Sequence, residues 1–118
     1  MTTILLARLQ DEPAADSGYR MLTDRLWPRG VRKDDPRFDE WYKHACPSHD
    51  LRKNYHAETI DFAEFSRCYQ AELDADESVL TPLLQRAQAG PLVLVSANRT
   101  IDNSHLPVLR DALLTRLK

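Results

Sequence analysis

The chain has 118 residues, 42% hydrophobic and 29% charged, with 16 Lys and Arg against 18 Asp and Glu and a formal charge of −2. That length predicts one domain, able to bury about two-thirds of the surface its unfolded form exposes without disulfide or metal staples. The composition excludes a membrane span, a disulfide scaffold and a fibrous protein, and a pI near 6.1 argues against a chain whose main task is neutralising many phosphates.

Thr3 to Leu9 is apolar and partly β-branched, which predicts a first strand. Residues 11–18 (DEPAADSG) carry Pro and Gly and predict a loop. Tyr19 to Trp27 resumes a strand-like pattern that Pro28-Arg29-Gly30 stops. Asp35 as cap, Pro36 at the first helical position, and Phe38, Trp41, Tyr42 and Ala45 at i, i+3, i+4 and i+7 predict a helix ended by Pro47. Ser48 caps a short helix through about Tyr55, with Asp50 in its first turn. Asp61 and Glu64 fit a capping box, and Ile60 and Phe65 a hydrophobic staple, for a helix burying Phe62, Phe65, Tyr69 and Leu73. A further helix from about Ser78 to Ala89 ends at Gly90-Pro91. Leu92 to Ala97 (LVLVSA) is apolar without alternation, the mark of a strand buried on both faces in a parallel sheet. A polar loop over Asn98–Asn103 leads to a last helix near Ser104, with Pro107 in its first turn and Leu106, Leu109, Leu113 and Leu117 inward. The expected architecture is one α/β domain over 1–118, a small, mostly parallel sheet flanked by helices in a Rossmann-like three-layer arrangement.

The N-terminal apolar stretch is too short for a signal-peptide core and no basic segment precedes it, so a cytoplasmic location is expected. Cys46 and Cys68 form no CxxC, and His44, His49 and His56 no HxxxH, so no metal or cofactor is expected. Cys68 falls on an amphipathic pattern and reads as a buried thiol. Cys46, before Pro47 at a helix start, is weighed as a nucleophile and set below the inert alternative. The acidic residues between Glu58 and Glu77 read as the wet face of a helix.

Ligands of open α/β sheets bind beyond the carboxyl ends of strands. Two such ends are polar here. One carries Asp24, Arg25 and Arg29; the other carries Ser96, Asn98, Arg99, Asn103, Ser104 and His105 and leads into a helix N-terminus, where an anion is favoured. Guanidinium forks, amide donors and an imidazole around one crevice suit a phosphate or carboxylate, with Asp24 and His105 as acid–base candidates. Ser48 and Arg52 join the ligand-binding set. The plainer readings are an Asp24–Arg25 structural pair, Trp27 as core, Arg29, Arg32 and Lys33 as a solvated loop face, and His105 as a helix-start residue.

The stretch Asp24-Arg25-Leu26-Trp27-Pro28-Arg29-Gly30-Val31 resembles the signature of the domain-of-unknown-function 488 family, in its short YeaO-like branch. Trp41, then Pro47-Ser48 with Leu51-Arg52-Lys53, is similar to a W…APS-x-x-LRK segment of that branch. Phe65, Tyr69 and Glu72-Leu73 resemble its EF…RY..EL helix, and Val93-Leu94-Val95 with His105 its final strand and NHA-type loop. The resemblance implies a bacterial α/β domain. It also implies a two-part site, because the family's other branch has an Asp-x-Arg motif at the equivalent of Asp24 and a Cys-His-Arg motif near that of His105. The chain departs from the pattern at Asn54, at His56-Ala57-Glu58, at Ser96, at Thr100, and at Ser104, with Asn103 one place early. Those departures concentrate in the Ser96–His105 half.

The leading expectation is a small enzyme or binder of a soluble, phosphate- or carboxylate-bearing ligand, nucleotide-like molecules included. The alternative is a non-catalytic nucleic-acid or protein adaptor gripping phosphates through Arg20, Arg25, Arg29, Arg32 and Lys33, which the net charge disfavours. A structural or vestigial role is the third reading. Oligomeric state is left open, with Trp41 and Tyr55 as candidate interface aromatics.

Overall fold

A computed structural model describes residues 3–11 and 18–117. Most of the expected 11–18 loop therefore lies outside the described residues. The elements are β1 (Ile4–Arg8), β2 (Tyr19–Leu22), β3 (Glu40–Trp41), α1 (His49–His56), α2 (Phe62–Ala75), a 3-10 turn (Glu77–Leu80), α3 (Thr81–Ala89), β4 (Leu92–Ser96) and α4 (Leu106–Arg116).

The four strands form one parallel sheet in the order β1-β4-β2-β3. β4 is central, pairing Leu6 with Leu94 on one side and Met21 with Leu94 on the other. Every residue of β4 is buried, as its unbroken apolar run predicts. Its side chains alternate between two cores. Leu92 and Leu94 join Ile4, Met21 and the buried residues of all four helices, including Tyr69, Leu83 and Leu109. Val93 and Val95 join Leu9, Leu22 and Phe38 on the opposite face, where Trp27, Val31 and Trp41 complete the cover. The result is a compact α/β three-layer domain: helices, sheet, and the long 23–39 segment over the far face. No helix among the described residues is long and apolar enough to cross a membrane.

Two expected elements change in extent or kind between β2 and α1. The second strand stops at Leu22 rather than Trp27: Thr23 N donates to Val95 O at 2.9 Å, and the chain then leaves the ladder. The helix expected over 36–45 does not form, and that segment holds turns and β3. Its apolar spacing serves two faces of a sheet instead of one face of a helix, because Phe38 and Trp41 pack in the far cluster while Tyr42 and Ala45 pack in the near one. Asp35 caps nothing helical; its carboxylate pairs with Arg37 at 2.8 Å and accepts from Arg37 N.

The remaining ends follow local chemistry. Ser48 and Asp61 cap α1 and α2 by accepting from Leu51 N and Glu64 N. Only half of the capping box forms, since Glu64 turns to Arg67 and Cys68. The 3-10 turn precedes α3 where one continuous helix is expected, and Gly90 closes α3. Ser104 stands one place before the N-cap of α4, yet its Oγ still accepts from Leu106 N. Gly18, at φ +132°, enters β2 against Pro91, whose carbonyl oxygen would lie 2.5 Å from any Cβ there.

Candidate functional site

Parallel pairing sets the carboxyl ends of β2 and β4 side by side, so Asp24 falls next to Ser96 and Ala97 although 72 positions separate Asp24 from Ser96. Asp24 Oδ1 accepts from Ser96 Oγ at 2.7 Å and Oδ2 accepts from Ala97 N at 2.8 Å. Ser96 Oγ in turn accepts from Asn98 N. The Trp41 indole donates to Asp24 O at 2.7 Å, and Trp27 meets Trp41 and Phe38 edge to face. Trp27 thus serves the far core and also lines the cleft above the strand ends.

That cleft encloses about 260 Å³. It gathers Asp24, Arg25, Arg52, Asn98, Ser104 and His105 of the expected set, together with Trp27, Cys46, Tyr55, His56 and Phe65. Ser96 sits beneath it, fully buried. Four of the expected residues lie elsewhere. Arg29 is exposed in the loop. Ser48 is spent on its helix cap and on Glu72, to which its N and Oγ both donate. Arg99 lies in a separate surface depression with Arg8 and Arg110. Asn103 is exposed and offers its carbonyl to the Tyr55 hydroxyl.

The polar groups of the cleft differ in how freely they can act. His105 is buried, with Nε2 2.7 Å from Thr23 O and 3.9 Å from Asp24 Oδ1. A carbonyl only accepts, so Nε2 carries the hydrogen and Nδ1 holds the lone pair. Burial pushes the pKa of His105 below its ordinary value, against the opposing pull of the Asp24 charge. Cys46 Sγ donates to the same Thr23 carbonyl at 2.9 Å. Burial, reinforced by Asp24, pushes that thiol up to about 12, so Cys46 is a thiol at neutral pH and lacks the thiolate a nucleophile needs. Asp24 and Arg25 are not paired with each other: Arg25 Nη2 donates to Pro47 O at 2.6 Å. Arg25 Nε is buried with no hydrogen-bond partner among the described residues. Arg52 is exposed, lines the cleft, and pairs with no carboxylate among the described residues. Among the described residues no three His, Cys, Asp or Glu side chains cluster to hold a metal ion.

Sequence reasoning passed over Tyr55, His56 and Phe65 as cleft residues. For two of them a signal existed: Arg52, Tyr55 and His56 stand at i, i+3 and i+4 of α1 and share a face. Tyr55 stacks on Phe65 at 4.4 Å and is half-buried, as is Trp41. Nothing local could have linked Glu72 to Ser48, 24 positions away.

The profile of the family described as "Inactive DUF488-N3 subclade" matches residues 3–118. The chain is 42% identical over 104 residues to the uncharacterized protein YeaO of Escherichia coli (strain K12), covering 88% of this chain and 90% of that one. It is 38% identical over 112 residues to the uncharacterized protein Rv3073c of Mycobacterium tuberculosis (strain ATCC 25618 / H37Rv), covering 95% and 94%. The uncharacterized protein Mb3100c of Mycobacterium bovis is similar to the same extent, 38% over 112 residues. No solved structure matches the chain significantly. A profile spanning nearly every residue and relatives aligned over nearly their whole length carry the resemblance first seen in the Asp24–Val31 stretch, and the chain belongs to the DUF488 family, in its inactive N3 subclade.

Proposed function

We propose that this protein is a non-catalytic receptor for a small anion, held in the cleft beyond the carboxyl ends of β2 and β4. The observation that carries the reading is a contrast within one cleft. Its two arginines, Arg25 and Arg52, have no carboxylate partner among the described residues, while its acid–base candidates are tied to the frame. Asp24 has both oxygens engaged and His105 is a buried neutral ring bound to a backbone carbonyl. Proton transfer needs groups that can reach a reacting atom. In this reading Asp24 and His105 hold the two strand ends together, and the guanidinium groups and Asn98 meet the ligand. The family description as inactive agrees with binding without turnover.

The test is a thermal-shift screen against phosphate, sulfate, nucleotides, sugar phosphates and short carboxylates, with Arg52→Ala in parallel. Ligand at about 100 times its dissociation constant adds ~2.7 kcal/mol of stability, several degrees for a domain of this size. The reading requires a shift for at least one anion class that is reduced in Arg52→Ala. A flat response to every class overturns it.

A further inference from the structure

The side edge of a guanidinium, formed by Nε and Nη2, matches the two oxygens of an acid group. Four arginines of this chain use that edge on carboxylates. Arg8 gives it to Asp11 and Arg37 to Asp35. Arg67 gives it to Glu64, and Arg116 divides it between Glu77 and Asp74. Arg25 alone among these five has the edge half filled: Nη2 holds one carbonyl, that of Pro47, and Nε is buried with no partner among the described residues. A buried donor without an acceptor is costly, so this arrangement is poised to give way to one in which both nitrogens are satisfied. Arg25 also lines a cleft with an aromatic wall, that of Trp27, Tyr55 and Phe65. The cleft volume of about 260 Å³ falls below the roughly 300–1,000 Å³ of sites for drug-sized ligands.

We propose that the ligand is a small aromatic acid, one ring bearing a carboxylate or phosphate. Its acid group takes the Nε/Nη2 edge of Arg25, and its ring lies against Trp27 and Tyr55. This rests on the anion-binding reading above. Nη2 carries two hydrogens, so Pro47 O can keep one while the other joins Nε–H on the acid. Nε is closed off in this arrangement, and the guanidinium turns toward the cleft as the acid enters.

The experiment measures dissociation constants for benzoate and phenyl phosphate against acetate and inorganic phosphate, on the full chain and on Arg25→Lys. Lysine keeps the charge and a donor for Pro47 O but has no fork. A matching thermal midpoint checks that the variant is folded. In the full chain the Arg25 Nε–H resonance, assigned by its loss in Arg25→Lys, is followed during titration and needs no variant to bind. The proposal expects the aromatic acids to bind at least tenfold tighter than acetate or phosphate, a loss of tenfold or more in Arg25→Lys, and a shifted Nε–H signal. Equal affinity of aromatic and simple anions overturns the ring assignment and leaves the anion-binding reading standing. Binding that ignores Arg25→Lys and leaves Nε–H unmoved overturns the role of the edge, again without touching that reading. Binding of none of the four, alongside a flat anion screen, overturns both. The relative strength of benzoate and phenyl phosphate tells which acid group the edge takes.

Discussion

Asp24 and Ser96 join the carboxyl ends of two strands through a 2.7 Å hydrogen bond from the serine hydroxyl to the carboxylate. Ala97 N donates to the other carboxylate oxygen, so one side chain fastens the last residue of β4 and the residue after it. Asp24→Ala leaves the Ala97 amide and the Ser96 hydroxyl without that partner, and is expected to cost about 2–3 kcal/mol. Asp24→Asn, which can keep its oxygen on Ala97 N, is expected to cost less. Urea unfolding of the three proteins checks the order; a stable Asp24→Ala protein would mean that the carboxylate is not structural.

Glu72 acts in a similar way just outside the cleft. Ser48 N and Oγ donate to its two oxygens, and the neighbouring Pro47 carbonyl holds Arg25. Removing a charged acceptor of two hydrogen bonds is expected to destabilise by about 2 kcal/mol in Glu72→Ala. The same change frees Pro47, so anion affinity should fall in Glu72→Ala although the residue does not line the cleft. Calorimetric titration with the anion found by screening, beside thermal unfolding, reads both effects.

His105 gives the fold a pH dependence of defined sign. Its folded pKa is lowered by burial, so the unfolded chain binds the proton more readily. Its neutral form is therefore compatible with full stability above the ordinary value of 6.5, and stability declines as pH falls below that value toward the lowered one. Thermal midpoints between pH 7.5 and 5 should fall less steeply in His105→Gln than in the parent chain. Parallel curves would show that the imidazole is not the group responsible.

The Cys46 thiol is expected to be slow toward alkylation. A pKa pushed up to about 12, against ~8.5 for a free thiol, lowers the thiolate fraction at neutral pH by about three orders of magnitude. Iodoacetamide labelling of the folded protein, followed by mass spectrometry of the Cys46 peptide, should show a rate far below that after denaturation. Rapid labelling in the folded state would reopen a nucleophilic role.

What the sequence determined by itself was local, and its physical cause is short in range. The caps at Ser48 and Asp61, the closure of α3 at Gly90 and the doubly buried β4 each depend on residues within a few positions of one another. The joint position of Asp24, Arg25 and His105 was legible too, because the carboxyl ends of parallel strands share one edge of the sheet. The tertiary structure decided the rest. Residues 36–45 carry a helical spacing, yet the sheet has two faces to cover, and Phe38 with Trp41 goes to one while Tyr42 with Ala45 goes to the other. Ser48 is drawn from the ligand-binding set by Glu72, and Arg99 by its place in the depression beside β1. Whether a polar side chain meets a ligand or is spent on the frame depends on partners dozens of positions away, and only the packed chain brings those together.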